Sequence, residues 1–241
     1  MIKYCMFTDK GSREINEDSA GCKKIDESYC FVVADGLGGH GRGEEASALV
    51  KDVIIGEFDD DARLNDFLEK AVTKAQDELM REQERKHAGN EMKTTVVALM
   101  VDGHNAKWLH VGDTRLYRFH ENKAVERTVD HSVPQMLVLA GELKEKKIRN
   151  HPDRNRLLKV MGREWDVPQY SVSKIRNIED AQAFLMCTDG FWELITEKQM
   201  EKLLKKSATV EEWLDSMVKV VQKNGKGKSM DNYTVIAVWN E

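Results

Sequence analysis

Proline is nearly absent, with three in 241 residues, and the chain holds no Gly/Ser tract and no repeat period. Nothing therefore reads as a linker between modules, and residues 1–241 are expected to form a single domain. Cysteine is also sparse. Cys5, Cys22, Cys30 and Cys187 are scattered, without a C-x-x-C pair, and three of them sit in or beside apolar runs. That pattern excludes a thiolate zinc site or dithiol motif and leaves buried thiols. No apolar run approaches the roughly 20 residues of a membrane-spanning helix. The opening Met1-Ile2-Lys3-Tyr4-Cys5 lacks the apolar core of a secretory leader. A basic excess is missing too: the formal net charge is −5, against the positive field that nucleic-acid binding needs. The expectation is a cytoplasmic monomer with neither a membrane nor a nucleic acid as partner.

Hydrophobic residues are present at 41%, enough for a substantial core. Thr94–Val101 is too rich in β-branched residues to favour helix, and Ala106–Val111 and Arg115–Phe119 alternate as strands around turn signals. This spacing predicts an antiparallel meander. Longer blocks carry helical periodicity. One runs from Gly43 to Phe58 with Glu44 and Glu45 at its start, and another from Asp61 to about Lys86. Thr196-x-x-Gln199 and Thr209-x-x-Glu212 are capping-box patterns ahead of further apolar stripes. Strands and helices do not alternate one for one, so an α+β layered sandwich fits better than a doubly wound parallel sheet.

The chemistry is concentrated at strand ends. Phe31-Val32-Val33-Ala34 runs into Asp35-Gly36, and Phe184–Thr188 runs into Asp189-Gly190. Asp231-Asn232 immediately precedes the apolar run Tyr233–Trp239. If those strands pair antiparallel, three carboxylates meet at one sheet edge. Clustered carboxylates repel one another unless cations lie between them, so the pattern asks for divalent metal. Hard ions such as Mg²⁺ and Mn²⁺ suit aspartates in the absence of a His/Cys cluster.

Taken in order, the motifs resemble the metal-dependent protein phosphatases of the 2C type in their short bacterial form. They are Gly11-Ser12-Arg13-Glu14-Ile15-Asn16-Glu17-Asp18, Val33–His40 with Gly43-Glu44, Thr94-Thr95, Val111–Tyr117, Asp130-His131-Ser132, Gly162, Thr188-Asp189-Gly190 and Asp231–Thr234. The resemblance implies a four-layer α-β-β-α sandwich of two antiparallel sheets flanked by helix pairs. It also implies hydrolysis of phosphoserine and phosphothreonine on proteins by a water that bridges two divalent ions, Mn²⁺ or Mg²⁺, without a phosphoenzyme. Asp35 would bridge the ions, the Gly36 carbonyl would ligate one, and Asp189 and Asp231 would complete the other shell. Asp18 and Glu17 would act through water, and Asp113 with Asp189 would hold a third, weaker ion. Arg13 would clamp the phosphate, its planar fork meeting two oxygens at once; a surface pair with Glu14 or Glu17 is the alternative. Leu37 stands where eukaryotic relatives carry a proton-donating histidine, which leaves His40 or a water as general acid. Partners would be phosphorylated proteins, opposite a Ser/Thr kinase. A phosphatase dedicated to one regulatory partner and a binding-only pseudophosphatase are the competing readings, but pseudophosphatases usually lose metal ligands and this chain keeps Asp35, Asp189 and Asp231. Residues of about 130–165 fall where the family has a mobile flap. Glu142–Arg163 holds eight basic residues against three acidic ones, a charge that would steer acidic substrates or merely solvate a loop.

Overall fold

The computed structural model describes residues 1–38, 41–89 and 91–240. One antiparallel sheet contains β1 (Ile2–Asp9), β6 (Arg115–His120), β7 (Lys123–Arg127), β10 (Ala183–Cys187) and β11 (Tyr233–Asn240), ordered β1-β11-β10-β6-β7. The other contains β2 (Asp18–Ile25), β3 (Ser28–Asp35), β4 (Val96–Val101) and β5 (Asn105–Val111) in sequence order. The two-residue strands β8 (Ser171–Val172) and β9 (Arg176–Asn177) pair along β5.

Three cores account for the layering. Helices α1 (Gly43–Glu57) and α2 (Phe67–Lys86) pack Val50, Ile54, Leu68, Val72 and Leu79 against the outer face of the second sheet. Helices α5 (Glu197–Leu204) and α6 (Val210–Gly225) pack Met200, Trp213, Leu214 and Met217 on the outer face of the first. Phe31, Val33, Leu99, Trp108, Phe184, Met186 and Ile236 fill the space between the sheets. The result is the expected four-layer α-β-β-α sandwich. It explains the unalternating Val run: every residue of β4 is buried, because a strand covered by helices on one face and a second sheet on the other has no wet side.

Several sequence expectations change. The meander is split: β4 pairs with β5 and β6 with β7, but β5 and β6 lie in opposite sheets. The second helix starts at Phe67 rather than Asp61. The Asp59 side chain accepts from the Asp61 N–H at 3.0 Å, and Arg63 donates to the carbonyls of Asp60 and Ala62. These local bonds satisfy the backbone in a turn and compete with helix. The three acidic strand ends also do not share one sheet edge. β10 and β11 are antiparallel neighbours, but β3 belongs to the opposite sheet, so Asp35 faces Asp189 and Asp231 across the sandwich. At the capping boxes, Thr196 and Gln199 make both reciprocal bonds. Thr209 caps Glu212, whose carboxylate takes the Ala208 N–H instead of closing the box.

Candidate metal centre

Antiparallel register places the first two carboxylates side by side. Asp18 opens β2 directly opposite Asp35, the last residue of β3. The Asp35 carbonyl is held from behind by Thr95 N–H and Thr94 Oγ1, each at 2.8 Å, which fixes the backbone as it leaves the sheet. Gly36 then donates to the Glu17 carbonyl at 3.1 Å. A Cβ at Gly36 would overlap the carbonyls of Gly43 and Glu17, so only glycine permits this close passage of three chain segments.

The opposite sheet supplies the rest. Thr188 follows β10 and ties the layers together: its hydroxyl donates to Asp18 Oδ2 at 2.9 Å and accepts from Thr234 N–H at 2.9 Å. Asp189 follows at the start of the short helix α4 (Asp189–Trp192). Asp231 sits just before β11, where its Oδ1 accepts from Asn232 N–H and its Oδ2 from Arg13 at 2.7 Å. Asp113 lies in the turn between β5 and β6, buried, with its carbonyl accepting from Trp192 Nε1 at 3.0 Å.

Arg13, Asp35, Gly36, Asp113, Asp189 and Asp231 all line one cleft of about 380 Å³, joined by Leu37, Asn155, Leu157, Val160 and Arg163. Asp18 stands behind it, 9% exposed, and its Oδ1 has no hydrogen-bond partner among the described residues. His40 lies outside the described residues. Arg13 pairs with Asp231, neither of the acidic neighbours considered from sequence. Asn232, given no role from sequence, is the staple of the rim. Its side chain accepts from Glu17 N–H and donates to the carbonyls of Lys10 and Ile15, each at 2.9 Å, seating the loop that carries Arg13.

Beneath the cleft lies a second feature that the sequence reading left without a role. Arg115 meets Asp130 through two parallel hydrogen bonds of 2.8 and 2.6 Å, with both side chains at most 2% exposed. Its guanidinium also lies 3.5 Å from the ring centre of Trp192. Burial alone would raise the Asp130 pKa, but Arg115 and its hydrogen bonds outweigh that and hold it below the ordinary range. The pair buttresses both Asp113, two residues earlier, and α4, through the indole.

Electrostatics at the cleft run the other way. Burial, then Asp18, Asp189, Asp113 and Asp231, pushes the Asp35 pKa well above the usual carboxylate value. Asp189 is raised likewise by burial, Asp113 and Glu193. Burial lifts Asp18 to about 7, against the opposing hydrogen bonds from Thr234 and Thr188, and it lifts Asp113 to about 7 with help from Asp130. A folded state that binds these protons more tightly than the unfolded chain (carboxylates near about 4) loses stability as pH rises between the two values. Metal-free protein is therefore expected to be most stable toward pH 5 and to weaken as pH climbs through about 7. Denaturation midpoints measured in chelator across that span check this, and a rising midpoint would contradict it. Mn²⁺ should flatten the fall, because a cation replaces the protons.

The donor set fits hard divalent ions. It is all oxygen and negatively charged, with only Asp231 met by a guanidinium, and includes an orphaned buried carboxylate oxygen. Among the described residues no three acidic, histidine or cysteine side chains group tightly enough to hold one ion alone. Ions that keep much of their shell as water need few protein ligands.

Sandwich and cleft together define a class of protein: two sheets whose shared end is a carboxylate cluster in need of countercharge, with a guanidinium at the rim. The family model described as Protein phosphatase 2C matches residues 10–233, and the chain belongs to that family. It is 30% identical to a serine/threonine phosphatase stp of Listeria monocytogenes, over 96% of this chain and 93% of that one. Serine/threonine phosphatase Stp1 from Staphylococcus aureus superposes with a TM-score of 0.90 at 28% identity, covering 100% of this chain and 96% of the other. The catalytic domain of phosphatase PstP, in complex with two manganese ions, has the same fold, with a TM-score of 0.81 at 24% identity over 99% and 97% of the two chains.

Proposed function

We propose that this chain is a protein serine/threonine phosphatase that uses two divalent ions, Mn²⁺ or Mg²⁺, and passes the phosphoryl group directly to water. The observation that carries the reading is the convergence of Asp35, Asp113, Asp189 and Asp231 from both sheets on one cleft, with Arg13 at its rim. Bound ions of this kind neutralise phosphoryl oxygens and make water acidic enough to attack at neutral pH. Asp35, the Gly36 carbonyl, Asp189 and Asp231 would hold them. Asp18 would orient a water of the shell with its free Oδ1, and Asp113 with Asp189 would serve a third, weaker ion.

Arg13 has two partners in this account. Without cations it neutralises Asp231; once Asp231 is engaged, its fork is free to meet two oxygens of the substrate phosphate. Leu37 lines the cleft directly after Asp35-Gly36 and offers no proton. The leaving oxygen therefore takes its proton from solvent or from His40. A binding-only role fits poorly, since the acidic set is complete. The physiological substrates would be phosphorylated proteins made by an opposing Ser/Thr kinase.

The test is phosphate release from a phosphoserine peptide in ¹⁸O-labelled water, with and without Mn²⁺. Metal-dependent release with one labelled oxygen, and no acid-stable phosphoenzyme, is expected. Release that is insensitive to chelator would refute the reading.

The basic segment divides between arginines tied into the fold and exposed lysines. Arg149 donates to the carbonyls of Trp192 and Ile195 and to Glu197, and Arg154 pairs with Glu193 at 2.8 Å. Both are structural ties. Lys146 and Lys147 are exposed, on the 3-10 turn Glu145–Asn150. Reversing those two alone is expected to raise KM for acidic phosphopeptides roughly two- to fivefold while sparing p-nitrophenyl phosphate. Equal effects on both substrates would rule out steering.

A further inference from the structure

The turn that carries Asp113 is tied on both flanks. After it, the Thr114 hydroxyl meets the Thr95 hydroxyl. Before it, the buried Gly112 is clamped by one residue, His131. The Gly112 N–H donates to His131 Nδ1 at 3.1 Å, and the His131 N–H donates to the Gly112 carbonyl at 2.9 Å. Gly112 has a φ of +99°, and a Cβ there would overlap Thr95, so the clamped position admits glycine alone. The state of the imidazole follows from its partners. A backbone N–H only donates, so Nδ1 carries the lone pair and Nε2 the proton, which goes to Ser171 Oγ on β8 at 2.8 Å. The His110 ring stacks on that of His131, with centroids 4.5 Å apart and planes 11° from parallel. His110 Nε2 donates to the Val129 carbonyl at 2.9 Å, which fixes the stacking partner in turn.

The same residue holds the cleft wall. The His131 carbonyl accepts from Leu158 N–H at 2.8 Å, Ser132 forms a β-bridge with Leu157, and Val133 N–H donates to the Arg156 carbonyl at 2.9 Å. This short ladder closes the base of the excursion that carries α3 (Val133–Leu139) and the 3-10 turn, and its returning arm brings Asn155 and Leu157 into the cleft beside Asp113. The imidazole itself is not among the residues lining the cleft. We propose that His131 is a positioning residue for the metal centre: its Nδ1 fixes Gly112, and with it the Asp113 carboxylate, in register with the wall at Leu157. This rests on the phosphatase reading and adds to it a residue that acts only through Asp113. A buried backbone N–H needs an acceptor, and here a side-chain nitrogen supplies it where the sheet has ended.

The experiment compares His131→Phe, which keeps a ring against His110 and both backbone bonds but removes the acceptor, with His131→Asn, whose amide oxygen reaches the place of Nδ1. Kinetics on a phosphoserine peptide and on p-nitrophenyl phosphate are followed against Mn²⁺ concentration, and Mn²⁺ binding is measured by dialysis. His131→Phe should lower kcat about tenfold on both substrates and raise the Mn²⁺ concentration for half-maximal rate by a similar factor, the size usual for a group that orients a ligand. KM should stay within about twofold, because neither substrate touches the imidazole. His131→Asn should recover most of the loss. On an Asp113→Ala background, adding His131→Phe should cost less than about twofold, since the two residues act as one unit. Wild-type kcat and Mn²⁺ dependence in His131→Phe would overturn the proposal. A loss that asparagine does not recover, or that adds in full to Asp113→Ala, would make the ring a packing element and overturn it too. Wild type without metal-dependent turnover strikes the phosphatase reading instead. Mn²⁺ binding then decides His131 by itself: weakened in His131→Phe and restored in His131→Asn supports the clamp, and equal binding in all three overturns it.

Discussion

Asp35→Asn is expected to lower kcat/KM for a phosphoserine peptide by at least about a thousandfold, while making the metal-free protein more stable rather than less. The first effect follows from position. Asp35 is the carboxylate that feels Asp18, Asp189, Asp113 and Asp231 together, so it sits where a cation would gain most. Removing one group at the centre of a charge-stabilising site typically costs about 10²–10³ in rate, and more where several partners depend on it. The second effect follows from repulsion. At neutral pH an amide in place of a crowded carboxylate relieves both desolvation and like-charge contact. Steady-state kinetics with saturating Mn²⁺ and thermal melts in chelator read the two separately. A stability loss with activity retained would mean that Asp35 is an ordinary turn residue.

Arg115→Met is expected to cost about 3–5 kcal/mol of stability, the toll for leaving one partner of a buried ion pair uncompensated. For a chain of this size that is roughly a 10 °C fall in Tm. Asp130, in a pair at most 2% exposed, would keep only a 3.3 Å bond from Arg127, and Trp192 would lose the guanidinium 3.5 Å from its ring. Activity should fall too, because both Asp113 and the helix carrying Asp189 rest on that pair. The double replacement Arg115→Met/Asp130→Leu should recover much of the stability, since matched apolar groups strand no charge. Urea denaturation of the single and double variants checks this, and a loss under about 1 kcal/mol for Arg115→Met would contradict it.

The strands flanked by aspartate were legible because apolar runs abut a charged residue: β3 ends on Asp35, β10 stops just before Thr188-Asp189, and β11 starts just after Asp231-Asn232. Their distribution over two sheets was not. A strand buried on both faces shows no alternation, so its sequence does not say which neighbour it pairs with or which face meets a helix. The cleft aspartates could be singled out because each lies next to a glycine, an asparagine or a strand end. The Thr188–Asp18 hydrogen bond spans 170 positions, and nothing local announces it. Charge patterning misled at Arg149 and Arg154. Composition registers a guanidinium but not the carbonyls and carboxylates it meets in the fold.

The central claim is that the carboxylate cleft is a two-cation centre built around Asp35. Calorimetric titration of chelator-treated protein with Mn²⁺ tests it most directly, run on wild type and Asp35→Asn with peptide hydrolysis followed on the same samples. Two strongly bound ions are expected in wild type, with activity rising with their occupancy and both lost in the variant. Two ions bound undiminished by Asp35→Asn, or hydrolysis at full rate before any ion is added, would contradict it.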